Sequence, residues 1–338
     1  MAHAIYPYLL PAALFLTAGC SSTDVVPAAD PASSLVTLNV SAPGAYIFGA
    51  ESRADDSYKL RLVAALYPSP ASEAVFPIET RELIYNPAGT ILSFEIAESG
   101  NYLVTVFADY LPVATTADGS GHFADYYYDT ASQPGTVTVK GDKTDFFNNE
   151  MRQCFAGKIA FEKGTATLTK DLTLRRPVSR IEISAPGDNV ETLVSRVDVT
   201  RCSHLDRYCF TLDGSEITGS VASADASAAA PKDITIANVQ SALAPDGKKL
   251  LFYYTFAGFA SDEARPALGE IAFTLVPMEG VALQGNASRT LPSGLIKPAQ
   301  NYRVSVKGAD GWINADASGD DITIHLDVPQ DWGSTEEI

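Results

Sequence analysis

Short stretches in which apolar and polar residues alternate recur along this chain, and their period of two restricts the fold more than any other feature. Examples are VTLNV at 36–40, YLVTVF at 102–107, RIEIS at 180–184 and EIAFTLV at 270–276. Val, Thr, Tyr and Phe recur inside such stretches, whereas Gly, Pro, Asn and Asp lie between them. Because successive side chains of a β-strand point to opposite faces, this pattern buries one face of each strand. It predicts an all-β protein built of packed sheets.

The alternating stretches fall into two groups, which predicts two tandem β-sandwiches at residues 35–160 and 161–338. The stretch DKTDFFNNEMRQCF at 142–155 interrupts the pattern and predicts a helical turn near the junction. A low-complexity stretch, GSVASADASAAAP at 219–231, predicts a long surface loop inside the second sandwich. A chain of 338 residues is long enough for two domains with well-buried cores.

The N-terminal residues have the layout of a bacterial lipoprotein signal. An apolar run from Leu9 to Ala18 is too short to span a bilayer, and it ends in small residues just before Cys20. This predicts a signal peptide at residues 1–19, a lipidated Cys20 and a flexible tether at 20–34. The first eight residues contain no Lys or Arg, which departs from the usual positively charged start. We expect the lipid to hold the protein at a membrane surface.

The chain is strongly acidic, and this charge limits its partners. It has 41 Asp and Glu against 24 Lys and Arg, a formal net charge of -17. Such a surface argues against nucleic acid as a partner and against direct docking on anionic lipid. We therefore expect membrane contact to come through the lipid on Cys20.

Three cysteines follow Cys20, namely Cys154, Cys202 and Cys209. Cys202 and Cys209 enclose only residues 203–208, a spacing that suits a disulfide across a hairpin or between adjacent strands in an oxidising location. Buried thiols are the alternative. A metal cluster with His204 would need a CxxC pair or a second histidine nearby, and neither is present. We therefore predict no metal site.

Recognised catalytic signatures are absent from the sequence. The four histidines are scattered, and none lies in an HExxH motif or beside a nucleophile elbow. The acidic loops at 118–125 and 316–321 lack the spacing of an EF-hand and its closing Glu. We therefore expect a protein without catalytic residues or a cofactor.

Tyr126, Tyr127 and Tyr128 form an aromatic cluster in a loop-like setting. The period of two favours burial of alternate rings in a sandwich. The alternative is an exposed platform whose ring faces stack on a sugar or on partner side chains.

Several stretches, taken together and in order, resemble the Bacteroidales fimbrillin-like lipoproteins, the family of type V pilus subunits and their anchors. They are the Cys20 signal followed by SSTD, VTLNV followed by SRA at 52–54, YKLRLVAALY at 58–67, LTLRRPVSRIEI at 172–183, LLFYYTF at 250–256, QNYRVSVKG at 300–308 and a closing strand ending in Asp331 and Trp332. The resemblance is diffuse but covers nearly the whole mature chain.

The resemblance implies transthyretin-like sandwiches and a non-enzymatic adhesive role at the outer-membrane surface, with other fimbrial subunits as partners. Stalk subunits of that family are cut after an arginine behind their first strand, so that a neighbour's strand can replace it; Arg53 matches that position. An anchor subunit would keep the strand, because a cut there separates the protein from its lipid. A solvated loop role for Arg53 stays open.

We therefore expect a cell-surface lipoprotein that serves as a fimbrial anchor or accessory subunit through β-strand and surface contacts. The alternative is a glycan-binding surface lipoprotein that uses Tyr126, Tyr127 and Tyr128. The C-terminal segment 321–332, with alternating Ile322, Ile324 and Leu326, either completes the second sandwich or is donated to a partner.

Overall fold

The computed structural model describes residues 34–45, 57–71, 75–140, 145–185, 190–222, 234–237, 249–258, 265–282, 288–308 and 322–327. In these residues the chain is nearly all β, so the predicted fold class is confirmed. The helical parts described are a 3₁₀ turn at Glu150–Arg152, inside the segment where a helical turn was predicted, and α1 at Val190–Leu193. The strands are β1 (Ser34–Ser41), β2 (Tyr58–Pro68), β3 (Glu79–Ile84), β4 (Thr90–Ile96), β5 (Gly100–Pro112), β6 (Tyr128–Asp129), β7 (Thr136–Val139), β8 (Cys154–Lys163), β9 (Leu168–Thr173), β10 (Val178–Ser184), β11 (Val194–Arg201), β12 (Arg207–Phe210), β13 (Gly219–Ala222), β14 (Ile234–Ala237), β15 (Lys249–Phe256), β16 (Ile271–Pro277), β17 (Ser288–Leu291), β18 (Arg303–Gly308) and β19 (Ile322–Asp327).

Two sheets enclose the first core. One has the order β4-β1-β9 and the other the order β3-β2-β5-β8. Their facing side chains come from every second residue of each strand, as the alternation predicted. Each large apolar side chain buried in this way stabilises the fold by roughly 1.5–3 kcal/mol. The core side chains from β1, β2, β4 and β5 are Val36, Leu38, Val40, Leu60, Leu62, Ala64, Leu66, Leu92, Phe94, Ile96, Val104, Val106, Ala108 and Tyr110.

Strand β1 lies in the middle of its sheet. It runs antiparallel to β4, with Ser34 opposite Ile96, and parallel to β9, with Val36 opposite Leu168. The sheet of β1 therefore includes residues that follow β8 in the sequence. The predicted domain boundary between residues 160 and 161 falls within β8, which pairs with β5 along its whole length. The division into two domains stays a prediction.

Three further sheets surround a second core, with the orders β15-β10-β18-β19, β14-β11-β16-β17 and β13-β12-β7-β6. The last of these joins β6 and β7 to β12 and β13, which come much later in the chain. Residues 219–222, predicted as part of a loop, form β13 because they pair with β12. This second core is rich in aromatic side chains, among them Tyr128, Phe146, Tyr253 and Phe256.

Strand β19 is an edge strand beside β18, with Ser305 opposite His325. Within the segment 321–332, residues 322–327 thus pair with a strand of their own chain, and the rest of the segment lies outside the described residues. Donation of the segment to a partner stays a prediction. Its neighbour β18 pairs with β10 in a parallel register.

The three cysteines in the described part of the chain, Cys154, Cys202 and Cys209, are free thiols. The predicted bridge between Cys202 and Cys209 is not formed, because the two residues belong to different environments. Cys202 follows β11 and is fully buried, with its Sγ donating to the carbonyl oxygen of Ser203 at 3.8 Å. Cys209 lies on β12, where Thr136 Oγ1 donates to its Sγ at 3.8 Å. Burial raises the pKa of Cys202 to about 12, so this thiol is held in its neutral form.

Candidate functional site

Some of the predicted site residues lie outside the described part of the chain, and others lie in the second core. Cys20 and Arg53, the predicted lipidation and processing positions, are outside the described residues. Tyr127 and Tyr128 are buried, and Tyr126 packs against the second core while remaining partly exposed. The favoured interpretation, packing in the sandwich, therefore holds for Tyr127 and Tyr128, and the alternative of an exposed platform does not fit these two rings.

Hydrogen bonds and ring contacts explain why these two tyrosines point inward. The ring of Tyr128 packs edge-on against Phe107, with 5.4 Å between the ring centroids, and its hydroxyl donates to the carbonyl oxygen of Arg152. Tyr127 Oη donates to Asp145 Oδ2 at 2.7 Å and accepts from Asn149 Nδ2 at 2.9 Å. Burial, and then the hydrogen bonds with Tyr58 and Asp145, raise the pKa of Tyr127, whereas the hydrogen bond from Asn149 acts in the opposite direction. Both hydroxyls thus have partners inside the protein, which removes the cost of burying them.

A groove of about 580 Å³ lies over the face of β2 and β5 that points away from the first core. Its floor is apolar because the second face of these strands carries small and apolar residues. Residues of β3 form one wall, and the chain around β6 and β7 forms the other. Phe76 lines the groove with a ring that is 76% exposed. The floor and wall side chains on which the description depends are Val63, Ala65, Phe107, Val137, Phe210, Phe123, Glu82 and Asp125.

A buried ion cluster holds one wall of this groove against the sheet. Arg61 of β2 is 0% exposed and binds Asp109 of β5 with both arms, Nε to Oδ1 at 2.9 Å and Nη2 to Oδ2 at 3.0 Å. The same guanidinium donates to Asp125 Oδ1 at 2.8 Å and to Glu82 Oε2 at 3.4 Å. The planar guanidinium suits this arrangement, since its five donors form a rigid fork.

The carboxylates around Arg61 also fix the loop between β5 and β6. Glu82 Oε2 accepts from the backbone N–H of Phe123 at 3.0 Å, and Asp125 accepts from the N–H of Thr130 at 2.8 Å and from its hydroxyl at 2.9 Å. His122 Nδ1 lies 3.0 Å from Glu82 Oε1. The wall of the groove is therefore set by contacts beneath it, and its main polar groups are already engaged.

This ion cluster was not predicted from the sequence, although the sequence contains a pattern that indicates it. Arg61 stands between two leucines in the strand pattern YKLRLVAALY, and Asp109 interrupts the apolar run of β5. A cation and an anion that each interrupt a largely apolar strand stretch indicate a buried ion pair. Asp125 and Glu82 join the pair only through the fold, since they lie on a loop and on a neighbouring strand.

The arrangement is suited to binding. Within the described residues, no group of three or more His, Cys, Asp or Glu side chains is placed to hold a metal ion. The groove offers an apolar floor, aromatic walls and a rim of hydroxyl and amide groups, which is the usual make-up of a ligand site.

In the part of the chain that the structure describes, no helix has the length and apolar character needed to cross a bilayer.

Comparison with known proteins gives one family match. The model of a family of unknown function, DUF6562, matches residues 30–279 of this chain. The sequence matches none of the curated proteins.

Several solved structures from Bacteroides and Parabacteroides species are similar to this chain at low identity. A "putative cell adhesion protein" from Parabacteroides distasonis has 11% identity and a TM-score of 0.42, covering 88% of this chain and 96% of that one. "Putative polysaccharide binding proteins (DUF1812)" from Bacteroides thetaiotaomicron give 10% identity and a TM-score of 0.41, covering 88% and 98%. A "putative adhesin" from Bacteroides ovatus gives 13% identity and a TM-score of 0.38, covering 82% and 88%. Likeness at this level establishes neither a ligand nor a partner for this chain.

Proposed function

The chain belongs to the DUF6562 family of unknown function, and we propose that it is a non-enzymatic, adhesion-type protein of the cell surface. In this proposal a lipid on Cys20 holds it to the outer membrane. It serves as a fimbrial anchor or accessory subunit and contacts neighbouring subunits through β-strands and exposed surfaces. The resemblance of the sequence to fimbrillin-like lipoproteins supports this proposal.

The observation that carries the proposal is the place of β1 between β4 and β9. The side chains of Val36 and Leu38 are fully buried, and that of Val40 nearly so. Removal of β1 would leave unpaired backbone groups on both neighbouring strands and an apolar groove between them. A strand from another subunit could satisfy both, as in β-strand addition. We therefore propose that the position between β4 and β9, called here the seat of β1, can hold either β1 or a strand from another subunit.

The position of β1 supports an anchor role within this proposal. Strand β1 is the first described strand after the predicted tether, and Arg53 follows it before β2 begins. A force on the lipid would enter the protein through β1, which is paired with a strand on each side. If β1 stays in place, the lipid remains joined to the whole molecule.

Strand exchange at the seat of β1 tests the proposal. A site-specific protease sequence replaces residues 51–56, and the cut protein is mixed with an excess of a labelled peptide covering residues 34–45. We expect the peptide to enter the seat, with gel filtration showing the label on the folded protein. A matched peptide carrying Leu38→Asp should fail, because a charge in the core is strongly unfavourable.

Two results would contradict the proposal. For the first, β1 is removed from the cut protein by washing in mild urea. The remaining protein then keeps its circular dichroism spectrum but takes up neither peptide. The second is equal uptake of both peptides, which would indicate surface adsorption. If the protein unfolds on losing β1, recovery of the spectrum on adding the wild-type peptide supports the proposal that this position accepts a strand from outside the chain.

Glycan binding is the second candidate, and the groove over β2 and β5 favours it. Phe76 presents an exposed ring beside an apolar floor, and such a ring can stack on the face of a sugar. This role replaces the Tyr126, Tyr127 and Tyr128 platform that the sequence predicted. A glycan array should then give signals that are lost in Phe76→Ala. They should persist in Ile78→Ala, which removes an exposed side chain close by in sequence. An array without signals for the wild-type protein would remove this candidate.

A further inference from the structure

A second cavity, of about 310 Å³, lies where the first sheet pair meets the other sheets. Its walls come from residues 156–158 of β8, the connection from β9 to β10 at 173–177, Tyr208 of β12, residues 216–218 and the turn at 300–302. We call it the Arg176 pocket. It is separate from the groove over β2 and β5 and shares no lining residue with it.

The charge of this pocket is opposite to that of the molecule. Lys158, Arg175 and Arg176 line it, against the single carboxylate of Glu216. The formal charge of the lining is therefore +2 (three cations less one anion), in a chain whose net charge is -17. Glu216 and Arg175 are exposed, whereas Arg176 is 2% exposed and lies over the ring of Phe155 at 5.0 Å. An anion entering the pocket would meet buried positive charge.

Buried hydroxyl groups point to a ligand independently of the charges. Tyr208 and Tyr302 are among the residues that line the pocket, and they are 0% and 4% exposed. Within the described residues, neither hydroxyl has a hydrogen-bond partner, and Nε2 of Gln300 has none either. Buried polar groups in native proteins are nearly always paired, so unpaired ones at one cavity call for an explanation. A ligand oxygen that accepts from these donors would supply it.

The donor set defines the class of ligand. Ammonium and guanidinium groups donate hydrogen bonds and cannot accept them, and a phenol or an amide nitrogen can also donate. Such a set fits the oxygens of an anion, with arginine especially suited to carboxylate and phosphate. We propose that the Arg176 pocket binds a small oxyanion, a carboxylate- or phosphate-bearing ligand about the size of one acidic sugar residue. This proposal does not rest on the adhesion role.

The surroundings of the Lys158 ammonium group also favour an anionic ligand. Burial lowers the pKa of its ammonium, and Asp213 acts in the opposite direction. Its Nζ donates to the carbonyl oxygen of Thr211 at 2.6 Å, which fixes the charged end. An anion beside Lys158 would favour its charged form, so binding would relieve the unfavourable effect of burial.

Calorimetric titration of the full chain tests the proposal, with galacturonate and inorganic phosphate as probes and galactose as the neutral control. We expect saturable binding of at least one anion and none of galactose. Galacturonate alone identifies a carboxylate ligand, and phosphate alone identifies a phosphate ligand. Absence of saturable binding by both anions would overturn the proposal.

Substitutions at the pocket locate the binding. Tyr208→Phe removes a hydroxyl that has no protein partner, so the melting temperature should stay equal or rise, while anion affinity falls about tenfold. Tyr302→Phe should act in the same way, and Arg175→Gln should weaken binding without unfolding the protein. Arg201→Gln, an exposed arginine paired with Glu270, is the control for net charge. Equal loss in Arg201→Gln, or unchanged affinity in the three pocket variants, would overturn the assignment.

Discussion

At the scale of single residues, Arg61 connects the stability of the fold to the shape of the groove. Its guanidinium is fully buried and holds Asp109 with two hydrogen bonds, while Asp125 and Glu82 bring in the groove wall. A buried ion pair adds little over an apolar pair of equal size, yet removing one partner leaves an uncompensated charge. The cluster therefore makes the position of the wall depend on one cation.

Arg61→Met should lower the free energy of unfolding by about 3–5 kcal/mol, because it leaves Asp109 buried and unpaired. The double variant Arg61→Met with Asp109→Leu should recover part of the loss, since the fully buried carboxylate of Asp109 is removed while Asp125 and Glu82 still lack their cation. Urea unfolding followed by circular dichroism measures both. Arg196→Met, which removes an exposed arginine paired with Asp198, should change stability by no more than about 1 kcal/mol. A loss in Arg61→Met as small as that of the control would contradict the role of the cluster.

Single residues also show which contacts could be predicted from the sequence and which could not. The period of two predicted that alternate rings of the tyrosine cluster pack inward, whereas the neighbouring Tyr127 and Tyr128 are both buried, because each ring has its own contacts inside the protein. The alternation could not assign the partner of Arg61, since Asp109 lies on another strand and Asp125 on a loop. The disulfide prediction failed for a similar reason: seven positions separate Cys202 from Cys209, but the chain turns from one sheet to another between them.

At the scale of elements, most strands could be read from the sequence and their pairing could not. Strands β1, β2, β4 and β5 coincide with alternating stretches, because each has one face in the first core. The polar edge strand β3 was missed, since Glu79–Ile84 buries none of its residues fully. The parallel pairing of β1 with β9 joins residues far apart in the chain, and no local pattern specifies such a contact.

The middle position of β1 predicts unequal effects along that strand. Leu38→Ala should lower the free energy of unfolding by about 2–5 kcal/mol, because its side chain is fully buried between two sheets. Leu35→Ala, on the opposite face of the same strand, should have a much smaller effect, since Leu35 is 37% exposed. Urea unfolding compares the two variants directly. Equal effects would mean that β1 is not seated in the core as described.

At the scale of the whole molecule, the net charge and the charge of one pocket have opposite signs. The chain carries a net charge of -17, yet the lining of the Arg176 pocket is positive. The acidic surface disfavours nucleic acid and anionic lipid, so a membrane contact must come from another source. The lipid predicted on Cys20 would provide it, and β1 is the first described element through which a load on that lipid would pass.

An anchor role predicts how the whole lipoprotein responds to an arginine-specific protease. The native protein, purified in detergent, should partition with the detergent phase and remain there after protease treatment, because β1 must stay joined to both Cys20 and the rest of the chain. Cys20→Ser should move to the aqueous phase from the start, which establishes that the lipid causes the partition. N-terminal sequencing of any fragment locates the cut, and Arg53→Ala shows whether a cut depends on Arg53. Cleavage after Arg53 that releases the folded protein and lets it polymerise would indicate a stalk subunit. That result would contradict the anchor role, because a chain separated from its lipid cannot carry load from the membrane.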